Sequence, residues 1–65
     1  MEIKNRLKVY RAKKDITQKE LAVELEVSRQ TVNAIETGKY SPSLELALKT
    51  AKFFQAEVEE IFYLE

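Results

Sequence analysis

The chain has 65 residues, 45% hydrophobic and 34% charged, with eleven Lys and Arg against eleven Asp and Glu; this describes one small ordered domain, residues 1–65, too short to enclose a cofactor. Cysteine and histidine are absent, which excludes a disulfide framework, thiolate or imidazole chemistry and an ordinary zinc site, so neither catalytic nor metal-ligating residues are expected. One glycine and one proline leave little room for a β-rich fold, and no apolar run has the length of a membrane span or the form of a signal peptide, which places the chain in the cytoplasm.

Met1–Lys4 reads as a short extended segment. Asn5 is placed to cap a first helix running to about Lys14. Leu7 and Tyr10, at i and i+3, turn toward the core, with Ile3 and Ile16 closing its ends. Lys4, Arg6, Lys8, Arg11, Lys13 and Lys14 make a solvated basic face. Thr17 caps the second helix, and Glu20, three residues on, has capping-box spacing. Leu21 and Leu25 share its apolar face. Ser28 caps the third helix, whose apolar face is Val32 and Ile35 and whose left-handed stop is Gly38. Only Glu26 and Val27 remain between the two helices. So short a link forces steep packing, as in a helix-turn-helix, and Ala22 is small enough for the close approach. The outward face of the third helix carries Ser28, Arg29, Gln30, Thr31 and Asn33. Arginine can read guanine bidentately, and glutamine or asparagine can read adenine.

Lys39-Tyr40-Ser41-Pro42 is a loop, since Pro42 disfavours helix at Ser41. Ser43 caps a fourth helix, Leu44 to about Phe54. There Leu44, Leu48 and Ala51 keep helical spacing, and Leu46, Ala47, Phe53 and Phe54 widen the stripe beyond one exposed face, so the helix is central to the core. Glu57–Ile61 reads as one or two helical turns with acids near its start; Glu57, Glu59 and Glu60 are a solvated cluster, not a catalytic pair. Ile61-Phe62-Tyr63-Leu64 is rich in strand formers. Charge divides along the chain: residues 1–42 hold nine basic and six acidic residues, residues 43–65 two and five. The polar third helix lies in the basic part.

Gln18, Leu21-Ala22, Leu25, Val27-Ser28, Val32, Ile35-Glu36 and Gly38, continued by Ser41-Pro42-Ser43-Leu44-Glu45, resemble the phage repressor and Cro-type (Xre-like) family of helix-turn-helix regulators. The resemblance covers nearly all of the chain. It implies an all-α, five-helix DNA-binding domain. In small stand-alone members similar to the cytolysin-operon repressor, the tail pairs with the N-terminal segment, here Glu2–Lys4, as a small antiparallel β-pair. It also implies sequence-specific binding of double-stranded DNA as a homodimeric repressor that occupies a near-palindromic operator, with no cofactor and no small-molecule effector domain.

Carried onto these residues, the resemblance places Thr17, Gln18, Lys39 and Tyr40 near phosphates and Ser28, Arg29, Gln30, Thr31 and Asn33 near bases. It pairs Arg11 with Glu36, tying the first helix to the third. One reading helix covers few base pairs, so a two-fold dimer is expected, with reading helices about 34 Å apart. Its contact is expected at Ile61, Phe62, Tyr63 and Leu64, the spare apolar surface. The chain departs from the family at Glu26, where glycine is usual, and at Gln55-Ala56, where a Gly or Asn stop is usual. A left-handed Glu26 would cost roughly 1 kcal/mol. The competing reading is a protein-interaction module, such as an antitoxin subunit or adaptor, whose partner covers the apolar tail. The basic first part and the polar third helix favour DNA.

Overall fold

Side-chain oxygens set where the helices begin. In the computed structural model, which describes residues 1–65, the order is β1 Ile3–Asn5, α1 Leu7–Lys13, α2 Gln18–Leu25, α3 Arg29–Glu36, α4 Leu44–Phe54, α5 Val58–Ile61 and β2 Phe62–Leu64. Thr17 Oγ1 accepts from the Glu20 N–H at 3.0 Å, and the Glu20 carboxylate accepts from the Thr17 N–H at 2.8 Å. This reciprocal box satisfies two donors that a helix start leaves free. Ser28 and Ser43 accept from the N–H groups of Thr31 and Leu46 at 3.0 and 3.1 Å. At α5 the Glu60 carboxylate accepts from the Glu57 N–H at 2.7 Å, while the Glu60 N–H donates to the Glu57 backbone carbonyl at 3.0 Å. Asn5 works differently from a simple cap. Arg6 holds the cap position of α1, while Asn5 Oδ1 accepts from the Leu7 N–H at 3.0 Å and Nδ2 donates to the Ile35 carbonyl at 2.8 Å. One side chain thus fixes the start of α1 and holds β1 against α3.

The exits of α1 to α4 share one arrangement. Asp15, Glu26, Gly38 and Gln55 are left-handed, with φ of 56°, 60°, 80° and 55°. Each is followed by the paired hydrogen bonds of a Schellman stop. After α2 the Val27 N–H donates to Ala22 O at 3.0 Å and the Glu26 N–H to Val23 O at 3.2 Å; after α4 Ala56 donates to Ala51 O at 3.0 Å and Gln55 to Lys52 O at 3.1 Å. Only one of the four is glycine, so the cost foreseen at Glu26 applies there, and at Asp15 and Gln55 as well, at about 1 kcal/mol each. The next residue offsets it. Ile16, Val27 and Ala56 all pack against the core. Lys49 of α4 also reaches the α2 exit, its Nζ 3.2 Å from Leu25 O and 3.0 Å from Glu26 Oε1. The Glu26 carboxylate is exposed, so that ion pair adds little.

Leu7, Leu21, Ala22, Leu25, Val32 and Ile35 from the first three helices meet Leu46, Ala47 and Ala51 of α4 and Ile61 and Phe62 of the tail. Three sequence expectations are corrected here. Leu44 and Leu48 are 74% and 52% exposed. The inward face of α4 is instead Leu46, Ala47, Thr50 and Ala51, and Thr50 is accommodated because its hydroxyl donates to Leu46 O at 2.7 Å. Ile3 is half exposed and does not close the core. Ile61 and Phe62 fill the core of their own chain rather than a free surface. The β-pair is antiparallel with Ile3 opposite Leu64, Lys4 opposite Tyr63 and Asn5 opposite Phe62, and Glu2 continues it by exchanging backbone hydrogen bonds with Glu65 at 3.0 and 2.9 Å, so the expected Glu2–Lys4 segment pairs and Asn5 extends it. Alternation puts Ile3 and Leu64 on the same face of the ribbon as Phe62, yet both stay exposed. Tyr63 is half-buried beneath the Arg6 guanidinium, 4.0 Å from the ring centroid.

Ala22 is 4% exposed within a core of few residues, so Ala22→Leu should lower stability by about 1–3 kcal/mol through overpacking. Glu26→Gly should raise it by up to about 1 kcal/mol by removing the left-handed penalty. In thermal melts followed by circular dichroism, each 1 kcal/mol moves the midpoint of a chain this size by about 4–8 °C. Wild-type midpoints would refute both.

Candidate nucleic-acid interface

The link of Glu26, Val27 and Ser28 turns α3 across α2, and a buried ion pair fixes α3 from behind. Arg11 Nε donates to Glu36 Oε2 at 2.8 Å and Nη2 to Glu36 Oε1 at 3.2 Å, while Nη1 donates to the Ile16 carbonyl at 3.0 Å. The two side chains are 17% and 4% exposed. One guanidinium therefore joins α1, the turn before α2, and α3 with the bidentate geometry arginine favours. Hydrogen bonding to Glu36, opposed by desolvation, raises the Arg11 pKa above its ordinary value. A raised cationic pKa contributes stability that is lost only as pH climbs through it, so Arg11 keeps its charge throughout the neutral and moderately alkaline range.

The pair continues outward. Gln18 Nε2 donates to Glu36 Oε1 at 3.0 Å and to Asn33 Oδ1 at 3.1 Å. Gln18, Arg29, Gln30 and Asn33 together line a shallow recess at the α2–α3 junction. Arg29 also borders a neighbouring recess at the start of α2 with Arg11, Asp15, Thr17 and Lys19. Ser28 and Thr31 are engaged with each other, their hydroxyl oxygens 3.0 Å apart. Thr31 lines a different recess, shared with Leu25, Val27 and Tyr40. Lys39 stands exposed on the loop after α3. The structure thus gathers Thr17, Gln18, Arg29, Gln30 and Asn33, and sets Thr31 and Tyr40 beside them in a separate recess.

Two features of this surface escaped the sequence reading. Lys19 adds a cation beside Arg29, and its one signal was its place in the first turn of α2. The hydrogen bond from Gln18 to Asn33 joins residues fifteen positions apart, and nothing local announces it. Chemically, the surface offers the Arg29 guanidinium, the three carboxamides of Gln18, Gln30 and Asn33 and the Lys19 ammonium around a capped helix start, a set suited to base edges and phosphates. No group of three His, Cys, Asp or Glu side chains is arranged to hold a metal ion, and no helix is long and apolar enough to cross a membrane.

Comparison with known proteins agrees with this geometry. A family model described as Helix-turn-helix matches residues 7–61. An uncharacterized HTH-type transcriptional regulator of Methanocaldococcus jannaschii is 59% identical over 63 residues, 97% of this chain and 96% of that protein. The uncharacterized HTH-type transcriptional regulator YgzD of Bacillus subtilis is 48% identical over 63 residues, 97% of this chain and 96% of its own. Among solved structures, the restriction-modification controller protein C.AhdI from Aeromonas hydrophila superposes with a TM-score of 0.77 at 33% identity, covering 85% of this chain and 80% of that one.

Glu36→Ala strands the Arg11 charge in a site that is 17% exposed at that side chain. It should cost about 3–5 kcal/mol in denaturant unfolding, the usual penalty for half of a buried pair. A loss under about 0.5 kcal/mol would mean the pair behaves as a solvated one.

Proposed function

The chain belongs to the helix-turn-helix family of DNA-binding transcriptional regulators, not to an enzyme family, and on that premise we propose that it is a homodimeric repressor that occupies a near-palindromic operator. The observation that carries the reading is the recess of Gln18, Arg29, Gln30 and Asn33 at the α2–α3 junction. Laid in a major groove, α3 brings Arg29 and Gln30 to base edges, with Ser28 and Asn33 flanking them. Thr17 and Gln18 bring the α2 start to the phosphates, where its leading backbone N–H groups and dipole favour an anion. Lys39 and Tyr40 reach the backbone on the far side of α3, with Thr31 beside Tyr40. These contacts place the protein and α3 specifies the sequence. The cytoplasm is the compartment this role requires.

A two-fold assembly doubles a short readout. Since Ile61 and Phe62 are buried within their own chain, and Tyr63 lies on the other face of the ribbon beneath Arg6, the dimer contact we propose reduces to the exposed cross-strand pair Ile3 and Leu64. Repression then follows from occupancy, because the bound dimer excludes polymerase from the overlapping promoter.

Binding-site selection from random duplex DNA tests the proposal. Arg29→Ala should cost about 1–3 kcal/mol on the selected site and relax one base-pair position. Lys39→Ala should weaken all sequences alike and lower the salt slope by about one unit. An unchanged motif with Arg29→Ala would move the reading face elsewhere. For assembly, Leu64→Asp should leave a folded monomer, seen by circular dichroism and analytical ultracentrifugation, with much weaker operator binding. A wild-type chain that stays monomeric at high micromolar concentration would refute a preformed dimer, and one that selects no DNA would favour the adaptor reading.

A further inference from the structure

The outward face of α3 is not polar throughout. Val32 and Ile35 are the buried residues of α3. At about 3.6 residues per turn, the line directly opposite them runs through Gln30 and Thr37, with Asn33 and Ala34 on either side. Gln30, Asn33 and Thr37 are exposed and Ala34 is half-buried. Ala34 is not among the residues that pack on the core, so its methyl belongs to the outer surface. Thr37, which ends α3, turns its hydroxyl back onto the helix. Its Oγ1 donates to the Asn33 carbonyl at 2.9 Å and lies 3.3 Å from the Ala34 carbonyl. A hydroxyl has a single proton, and this one is spent on backbone. The bond also fixes χ1, which leaves the γ-methyl of Thr37 directed away from it. Residues three apart on a helix are neighbours, so Ala34 and Thr37 set two methyl groups side by side. The Ala34 carbonyl also accepts from the Lys39 and Tyr40 N–H groups at 2.9 and 3.2 Å. This apolar spot therefore lies between the Arg29–Gln30 turn and the loop that carries Lys39 and Tyr40.

In the major groove, guanine, adenine and cytosine show only hydrogen-bonding groups, whereas thymine adds a C5 methyl that alanine or a threonine methyl can pack against. We infer that Ala34 and the γ-methyl of Thr37 form a specificity-determining apolar contact for the C5 methyl of a pyrimidine, which in unmodified DNA is thymine. The inference rests on the DNA-binding reading above and adds a determinant to it. Ala34 lies about 6 Å further along the α3 axis than Gln30, so the base pair it meets neighbours the one that Gln30 reaches. Arg29, Gln30 and Asn33 supply hydrogen bonds, and the two methyl groups supply a contact that no hydrogen bond can replace. A methyl marks one strand of the pair, so the contact separates T·A from A·T as well as from G·C. Burying one methyl is worth about fourfold in affinity, which sets the size of the expected effect.

The experiment starts from the motif that the wild-type chain selects from random duplex DNA. Each thymine of that motif is replaced singly by deoxyuridine, which keeps every hydrogen-bonding group and removes the methyl. One thymine in each half-site should prove sensitive, with uridine weakening wild-type binding about fourfold. Ala34→Gly and Thr37→Ser each remove one protein methyl and should bring that factor down toward one. Thr37→Val keeps the methyl, loses the hydroxyl and should retain the factor. Each ratio compares two duplexes on one protein, so changes in stability or overall affinity cancel. At the same position, 5-methylcytosine should bind more tightly than cytosine by a similar factor. A motif in which no thymine is sensitive to uridine, an undiminished factor in Ala34→Gly or Thr37→Ser, or a factor lost in Thr37→Val would overturn the inference while leaving DNA binding intact. A motif with cytosine at that position, bound more tightly only when methylated, would overturn thymine as the base read. A wild-type chain that selects no motif would overturn the DNA reading, and this inference with it.

Discussion

The contact on which most else depends is the bidentate pair between Arg11 and Glu36. Burying a guanidinium and a carboxylate is costly, and such a pair adds little net stability over an apolar substitute, but it tolerates few alternative arrangements. Here it joins α1 to α3 across twenty-five residues, with a third bond to the carbonyl of Ile16. That carbonyl lies one residue before the Thr17 cap, so the group that holds α3 also holds the start of α2. Asn5 adds a second tie, from β1 to the Ile35 carbonyl. The position of α3 relative to α2 is thus set by charge and hydrogen bonding at one end and by Leu21, Leu25, Val32 and Ile35 in the core.

A second constraint acts at the helix exits. Four helices must stop and turn within two or three residues. They do so through left-handed residues, of which only Gly38 is relieved of the Cβ penalty. The other three are followed by Ile16, Val27 and Ala56, each packed on the core. Hydrophobic contact after a Schellman stop is how such turns are commonly stabilised. Where it is missing, after α3, the next residue is exposed Lys39 and the turn residue is glycine. Strain is accepted where burial can offset it and avoided where the loop faces solvent.

This division explains what could be read from sequence. Helix starts were legible because a cap is a local event: Thr17, Ser28 and Ser43 act on backbone groups three residues away. The stop at Gly38 was legible because only glycine takes that conformation freely. Asp15 gave no such signal, and Gln55 could be questioned only by resemblance. The face of α4 was misread because Leu44 and Leu48 repeat with the same period as Leu46, Ala47 and Ala51, and period alone cannot choose between two apolar faces. Thr50, polar by type, is buried because its hydroxyl bonds within its own helix. The tail was legible as a strand, but whether Ile61 and Phe62 cover a partner or their own core depends on a fold that brings both ends of the chain together.

The polar face shows the same limit more sharply. Residue types at Arg29, Gln30 and Asn33 suggest what a groove-facing helix can bond. They do not say which end of a carboxamide points outward. That polarity is settled by Glu36, whose side chain is 4% exposed. Glu36 therefore has two roles that substitution there cannot separate, since losing the acceptor both strands Arg11 and frees Gln18. Asn33 is exposed and packs no core residue, so changes there leave the core intact and remove only its bond to Gln18. In a domain this small, the interior charge that holds α3 also orients hydrogen-bonding groups on its surface, because Gln18 bonds both Glu36 and Asn33.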